Sequence, residues 1–92
     1  MNRTSNRQTE IYKQDMDNDM VRFAEDTVRS AMNRSTVEQE IASYIRKAFE
    51  ERYQPTWSCV AGKSFGSEVA YVKDNFLFFN VDGMSFMIFR AA

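Results

Sequence analysis

The stretch "NFLFFNVDGMSFMIF" (residues 75–89) decides the fold of this 92-residue chain. Two apolar runs, 75–81 and 84–89, flank the dipeptide Asp82-Gly83. Asp-Gly between apolar runs favours a type I′ hairpin turn, because both central residues of that turn take positive φ. The sequence therefore predicts an antiparallel hairpin. Neither run alternates cleanly between apolar and polar residues, so both strands are expected to be buried on both faces.

Two further strands are predicted upstream of this hairpin. The first covers "TWSCVAG" (56–62) and the second covers "FGSEVAYV" (65–72). The second opens on a Gly-Ser pair and carries Glu68 inside an apolar run. Such a strand can complete the chain's own sheet, or its backbone can pair with another chain, and the residues alone leave both readings open.

Two amphipathic helices are predicted before the strands, from apolar residues at the 3.6-residue period. The apolar face of the first contains Met20, Phe23, Ala24, Thr27, Val28, Ala31 and Met32. Asp17 and Asp19 precede it, where a carboxylate caps the free amides. The apolar face of the second contains Val37, Ile41, Tyr44, Ile45, Ala48, Phe49 and Tyr53.

The ends of the second helix carry their own signals. "STVE" (35–38) has the form of a capping box, with Ser35 as the N-cap and Glu38 reaching back. Pro55 follows the last apolar position and cannot continue the helix. We therefore predict a helix that begins after Ser35 and ends before Pro55.

The predicted fold class is α+β: two helices packed on one face of an antiparallel sheet. A short strand is expected at "TEIYK" (9–13). Residues 1–10 are predicted to be a disordered arm and residues 11–92 a single domain. Two helices cover only one face of the sheet, so a second copy of the protein is the simplest cover for the other. A monomer with an apolar hairpin is the alternative.

The composition argues against an enzyme. The chain has no histidine, one cysteine and a net charge of −1. Acid–base chemistry would therefore fall to carboxylate pairs such as Glu38 with Glu40 or Glu50 with Glu51, which are expected to be solvated helix surface. Cys59 in a strand is expected to be a buried, inert thiol. No metal or cofactor is predicted.

Known phosphate and nucleic-acid signatures are also missing. "GKSFG" (62–66) lacks the spacing of a phosphate-binding loop and the helix that follows one. Basic residues are scattered and matched by acidic ones, so a nucleic-acid partner is not expected. The polar start "MNRTSNRQTE" is no signal peptide, and no apolar run is long enough to span a membrane. A soluble protein of a reducing compartment is expected.

The segment "YQPTWSCVAGKSFGSEV" (53–69) resembles the small, dimeric dynein light chains of roughly ninety residues. The resemblance extends without a gap from about Ile11 to the C-terminus. The matching positions are Tyr53, Pro55, Thr56, Trp57, Cys59, Gly62, Lys63, Phe65, Gly66, Ser67 and Val69.

This resemblance implies a dimer in which the strand at 65–70 leaves its own subunit and pairs with the partner's sheet. It also implies a groove in which a ligand segment, often containing Thr-Gln-Thr, adds as a further strand. The ligand's glutamine is expected to bind the amides that begin the second helix.

The implied site falls into two sets. The groove comprises Glu38, Gln39, Lys63, Ser64, Phe65, Gly66, Ser67, Glu68, Val69, Ala70, Tyr71, Phe76, Phe78, Asn80 and Met87. The dimer interface comprises Trp57, Ser58, Phe65, Glu68 and Val69.

Departures from the family pattern concentrate in the groove. Gln39 stands where the family usually has Lys, and Ala70 and Phe78 lack hydroxyl groups that would bond ligand side chains. Glu68, Tyr71 and Asn80 also differ from the family's usual residues. Each lost hydrogen bond is worth about 0.5–1.5 kcal/mol. Backbone pairing is expected to survive, whereas the family's ligand specificity does not carry over.

Two regulatory positions also differ. Ser58 replaces the family's interface histidine, and Ala91 replaces its phosphorylatable serine. These changes suggest a paralogue of ciliary or flagellar dynein, located at the cytoskeleton of the cytoplasm or axoneme.

The expected partners are dynein intermediate chains and a second light chain, either a copy of itself or a sister chain. A general dimerisation hub for Thr-Gln-Thr-like motifs of disordered, non-dynein proteins is the first alternative. A purely structural subunit with no exchangeable peptide is the second.

Overall fold

The structure, a computed structural model, describes residues 8–63 and 69–92. Its elements are β1 (Thr9–Asp15), α1 (Asn18–Arg34), α2 (Glu38–Arg52), β2 (Trp57–Gly62), β3 (Tyr71–Val81) and β4 (Met84–Ala91). The strands form one sheet in the order β1-β3-β4-β2, and each neighbouring pair is antiparallel. Both helices pack on one face of this sheet. The predicted α+β class is therefore confirmed.

Helix α1 begins where the sequence predicts. The Asp17 carboxylate accepts a hydrogen bond from the Met20 amide at 2.8 Å, which caps the first turn. The face turned to the sheet is continuous and buried. It consists of Val21, Ala24, Thr27, Val28 and Ala31.

Helix α2 begins two residues later than the capping box predicts. Its N-cap is Val37, which makes no side-chain cap. Ser35 instead ends α1, where its amide donates to the Ala31 carbonyl. The Ser35 hydroxyl accepts from the Val37 amide at 3.0 Å and donates to Glu40, not Glu38, at 2.6 Å. Val37 is half exposed, so its assignment to the apolar face was also wrong.

The core lies between the helices and the sheet. Its largest enclosed side chains come from α2, β2 and the hairpin, and are Trp57, Phe49, Phe79 and Phe86. The Phe49 ring centroid lies 5.1 Å from Phe23 and 4.8 Å from Trp57. This aromatic cluster joins both helices to β2.

The β3–β4 hairpin closes at the predicted Asp-Gly turn. Asp82 has φ 55° and Gly83 has φ 91°, and the flanking residues Val81 and Met84 pair. The Asn80 side chain accepts from the Gly83 amide at 3.0 Å and donates to the Ser85 hydroxyl at 3.1 Å. The turn is therefore fixed both by its backbone and by a side chain from β3.

The substitution Gly83→Ala is expected to lower the free energy of unfolding by about 1 kcal/mol. A Cβ at Gly83 would meet no atom within 4 Å, so the cost comes only from positive φ. Denaturant titration measures this change in the free energy of unfolding. Gly83→Asn is the matched control, because Asn tolerates this region, and its loss should be smaller. Equal losses for the two variants would contradict this explanation.

The predicted division between the two strands at 65–72 and 75–81 is not observed. Tyr71 and Val72 belong to β3, which continues through Lys73 and Asp74. The register shifts between Tyr71 and Phe76, and Asp74 takes φ 69°, so the polar residues form an irregularity within one strand. Residues 69–70 are not in a strand, and residues 64–68 lie outside the described part of the chain.

Strand β1 begins slightly before the predicted start of the domain. Thr9 and Glu10 pair with Val81 and Asn80, so ordered pairing begins two residues before residue 11. β1 also runs past the predicted end at Lys13, to Asp15. The proposal that the first residues form a disordered arm remains a prediction, since 1–7 lie outside the described residues.

Candidate protein-interaction surface

Strand β2 lies at one edge of the sheet and pairs with β4 on one side only. The Ala91 amide donates to the Thr56 carbonyl at 3.1 Å, which makes this a hydrogen-bonded pair. Such pairs alternate along an antiparallel ladder. The backbone groups of Ser58 and Val60 therefore point to β4, and those of Cys59 and Ala61 point to the free edge.

The position of Trp57 supports this assignment. Its amide points away from β4 and donates to the Glu50 carboxylate at 3.3 Å. Glu50 also accepts from Arg46 at 2.8 Å. Glu50 is thus a half-buried link between α2 and β2, not the solvated surface residue that the sequence predicted. Beyond Trp57, the free edge of β2 has no strand partner among residues 8–63 and 69–92.

The first turn of α2 lies beside that free edge. Val37 supplies no side-chain cap, so the amides of Glu38, Gln39 and Glu40 are available to solvent or to a ligand. Their partial positive charge suits an oxygen acceptor. Glu38 and Gln39 are exposed, as a ligand-contacting role requires.

A cleft of about 640 Å³ connects the start of α2 to β2. It is lined by Thr36, Val37, Glu38, Gln39, Ala42, Cys59, Val60 and Ala61. An extended segment in this cleft could reach both the outward backbone groups of β2 and the free helix amides. The family resemblance predicted Glu38 and Gln39 in the site, but not Cys59, Val60 and Ala61. Their role depends on which strand ends at the sheet edge, a feature that residue patterns do not encode.

The sheet face away from the helices carries a second apolar cluster. The Phe76 ring lies 4.6 Å from Tyr71 and 6.4 Å from Phe89. The Lys13 ammonium lies over the rings of Tyr71 and Phe76, at 5.5 and 5.3 Å from their centroids. Val60, on the same face of β2, is 44% exposed. Four consecutive residues of β4, from Ser85 to Ile88, are buried, so this strand has buried residues on both faces, as predicted.

The structure distributes the predicted groove residues over several places. Glu38 and Gln39 line the cleft, Lys63 follows β2, and Val69 and Ala70 precede β3. Phe76, Phe78 and Met87 lie together on the open face, where Phe78 pairs with Met87. Ser64, Phe65, Gly66, Ser67 and Glu68 lie outside the described residues.

Three predicted site residues have tasks within the fold. The Asn80 amide is committed to the hairpin turn. Tyr71 pairs with Ala91 in the chain's own sheet, so it belongs to β3 and not to a departing strand. Trp57 is 1% exposed, and most of its side chain packs in the core of its own chain. Ser58, which faces the open side opposite Phe89, is better placed for contact.

Cys59 lines the cleft, but its thiol faces the core. Burial raises the pKa of this thiol from 9.0 to about 12. At pH 8 the folded protein should therefore hold about a thousandfold less thiolate than an ordinary cysteine. We expect an aromatic disulfide reagent to react far more slowly with the folded protein than with the same chain in guanidinium chloride. Equal rates would contradict a buried thiol.

The same pKa has a consequence for stability. The unfolded chain ionises Cys59 near pH 9.0, while the folded chain keeps the proton until about pH 12. The unfolded state is therefore favoured as pH rises between these values. The free energy of unfolding therefore keeps the full contribution of Cys59 below pH 9.0. It loses this contribution progressively as the pH rises from 9.0 to about 12.

Comparison with known proteins identifies the family. The family model of dynein light chain type 1 matches residues 8–91. A dynein light chain from Schistosoma mansoni is 34% identical over 87 residues, which cover 95% of this chain and 98% of that protein. The chain belongs to the dynein light chain type 1 family. Dynein light chains are cytoskeletal proteins that are generally non-catalytic, and the family implies dimerisation and binding of dynein components.

Solved structures show the same fold. The dynein light chain-like domain of a calcium-binding protein from Fasciola hepatica superimposes with a TM-score of 0.80 at 16% identity, covering 100% of this chain and 99% of that one. A mercury derivative of that domain gives 0.77 at 17% identity, covering 91% and 92%. In this light chain, the described residues contain no group of three or more His, Cys, Asp or Glu placed to hold a metal ion.

No helix among the described residues combines the length and the apolar composition that crossing a bilayer needs.

Proposed function

We propose that this light chain acts as a non-catalytic dimer that binds and pairs short extended segments of dynein intermediate chains by β-strand addition. Family membership and one observation support the proposal. The uncapped start of α2 lies beside the free edge of β2, with a cleft between them. This geometry offers backbone donors and acceptors for a strand and free helix amides for a side-chain oxygen.

The proposed dimer uses the edge of β2. The outward backbone groups of Cys59 and Ala61 accept the strand at 65–70 of a second copy, and the two open sheet faces cover each other. A ligand segment then adds to the exchanged strand along residues 65–70. Its glutamine places a carbonyl oxygen at the amides of Glu38 and Gln39.

The pairing of two segments follows from the symmetry of such a dimer. Two grooves on one rigid body hold two intermediate-chain segments side by side, and the second binding event becomes intramolecular. Weak strand additions therefore reinforce each other and support assembly of the motor complex. The groove departures at Gln39, Ala70 and Phe78 favour a dedicated partner, and we propose an axonemal dynein of a cilium or flagellum.

Calorimetric titration with an extended peptide tests strand addition. We expect a peptide containing Lys-x-Thr-Gln-Thr, or a dedicated intermediate-chain segment, to bind at one peptide per chain. The matched control is the same peptide with alternate backbone nitrogens methylated, which keeps the side chains but removes the backbone donors. It should not bind. Equal binding of both peptides, or failure of every segment with a stable dimer, would contradict the proposal.

A general dimerisation hub is the second candidate, because strand addition depends more on hydrogen bonds to the ligand backbone than on contacts with its side chains. Tight binding of Thr-Gln-Thr-like peptides from unrelated, non-dynein proteins would favour it. Selectivity for one intermediate-chain segment would favour the dynein-specific role.

The proposed dimer is expected to be insensitive to mild acid. The chain has no histidine, and Ser58 occupies the interface position where the family has one. No side chain with an ordinary pKa between 5 and 7 is therefore available to charge. Analytical ultracentrifugation at pH 5 and pH 7 should give the same dimer fraction. Ser58→His is the matched variant, and its dimer should dissociate at pH 5 only. Dissociation of the native protein at pH 5 would contradict this prediction.

A further inference from the structure

A second cleft lies at the far end of α2, away from the proposed groove. It has a volume of about 380 Å³ and combines residues from α2, the following loop, β2 and β4. Arg52, Tyr53, Trp57 and Arg90 form its charged and aromatic walls. The 15 residues of α2 separate it from the first cleft by roughly 21 Å at 1.5 Å per residue. No part of the proposed groove lines it.

Two guanidinium groups in this cleft, those of Arg52 and Arg90, have no carboxylate partner among the described residues. Ion pairs within residues 8–63 and 69–92 involve Arg22, Arg29 and Arg46, but neither Arg52 nor Arg90. No Asp or Glu lines the cleft. The charge there is therefore uncompensated by the described part of the chain.

Both guanidinium groups are held in place by neutral contacts. Arg90 donates from Nε to the Pro55 carbonyl and from Nη2 to the Gln54 side chain, each at 3.1 Å. The Arg52 guanidinium lies 4.8 Å from the centroid of the Phe23 ring, and also lies near Tyr53. These contacts fix the positions of the two groups and leave their positive charges available.

Trp57, which lines the cleft, carries an unused donor. The Trp57 indole Nε1 is buried, and no acceptor in the described part of the chain bonds it. A buried N–H without an acceptor costs free energy, so such groups are rare and call for an explanation. Trp57 pairs with Arg90 across β2 and β4, and both residues line the cleft. An oxyanion that reaches the indole from the cleft would supply the missing acceptor.

We propose that this cleft binds a carboxylate side chain of an acidic peptide segment, held between Arg52 and Arg90. Two guanidinium groups match the charge and the two oxygens of a carboxylate. Met20, Tyr53 and Trp57 provide apolar walls for the methylene groups of a glutamate, which an inorganic anion lacks. The site stands independently of the proposed groove, since it shares no residue with it.

The single tryptophan gives a direct readout of this site. Titration of the full chain with the acetylated, amidated peptide Gly-Glu-Glu-Gly should change the Trp57 fluorescence and saturate. The matching Gly-Gln-Gln-Gly peptide should give no saturable change. Added salt should weaken the binding, because part of the interaction is charge attraction.

Variants separate this site from general charge effects. Arg52→Gln and Arg90→Gln should each weaken binding about tenfold or more, as expected for loss of a charged hydrogen bond. Arg22→Gln is the control, because it removes the same charge from an exposed ion pair on α1. It should leave the affinity unchanged. Arg52→Gln is less prone to disturb the fold than Arg90→Gln, because Arg90 also donates hydrogen bonds to Gln54 and Pro55 in the loop before β2.

Three outcomes would overturn the proposal. One is the absence of a saturable change with the Glu peptide in the folded native protein. Another is an equal loss of affinity in Arg22→Gln and Arg52→Gln. The third is binding of a phosphoserine peptide without binding of the Glu peptide. Failure of strand addition at the groove would leave these results untouched, so the two proposals fail separately.

Discussion

Replacing Phe49 by alanine is expected to lower the free energy of unfolding by about 3–5 kcal/mol. Phe49 is fully buried, and its ring contacts Phe23, Tyr53 and Trp57. Its removal leaves a cavity where α1, α2 and β2 meet, and aromatic contacts are lost in addition. A domain of this size has a total stability of only about 5–14 kcal/mol, so the variant should be largely unstable near body temperature.

Denaturant titration of the purified variants measures this effect. Lys47→Ala is the matched control, because Lys47 lies on the exposed side of the same helix. It should change the free energy of unfolding by less than about 0.5 kcal/mol. A loss below about 1 kcal/mol for Phe49→Ala would mean that α2 does not pack on the sheet through this residue.

The substitution Ala61→Pro is expected to raise the dissociation constant of the proposed dimer at least about tenfold. The Ala61 amide points to the free edge of β2, so proline removes a donor to the incoming strand. Its ring also obstructs close approach of another backbone. Pairing with β4 should persist, because proline is tolerated on an edge strand when its nitrogen faces outward.

Sedimentation over a dilution series measures the dimer fraction. Ala61→Val is the matched control, since it adds bulk at the same position and keeps the amide. It should remain dimeric. Circular dichroism should show that Ala61→Pro is folded as a monomer. A folded Ala61→Pro with the native dimer constant would exclude β2 as the pairing edge.

The fold could be predicted from the sequence wherever a local residue pattern determines the structure. Asp82-Gly83 specified the hairpin turn because few other dipeptides take positive φ twice. The periodic apolar positions of α1 and the cap at Asp17 placed that helix. For α2 the local pattern gave the wrong start. Ser35 has the side chain of an N-cap, but in the structure it is the C-cap of α1, and Val37 is the N-cap of α2.

The two candidate sites were harder to predict from the sequence, because they depend on pairing between elements that are distant in the chain. Resemblance to the dynein light chains supplied Glu38 and Gln39, but not the outward orientation of Cys59 and Ala61, which follows from the β2–β4 register. Arg52 and Arg90 are far apart in the chain, and only the pairing of Trp57 with Arg90 brings them to one cleft. The spacing of these residues in the sequence does not indicate that they meet in one cleft.

Amide hydrogen exchange along β2 tests most directly whether its free edge pairs with another chain. β4 protects the amides of Ser58 and Val60 in any oligomeric state. In the dimer we expect the amides of Cys59 and Ala61 to be protected as well, and dilution to monomer should restore their exchange. Continued fast exchange of Cys59 and Ala61 at high concentration, beside slow exchange of Ser58 and Val60, would contradict strand pairing at this edge.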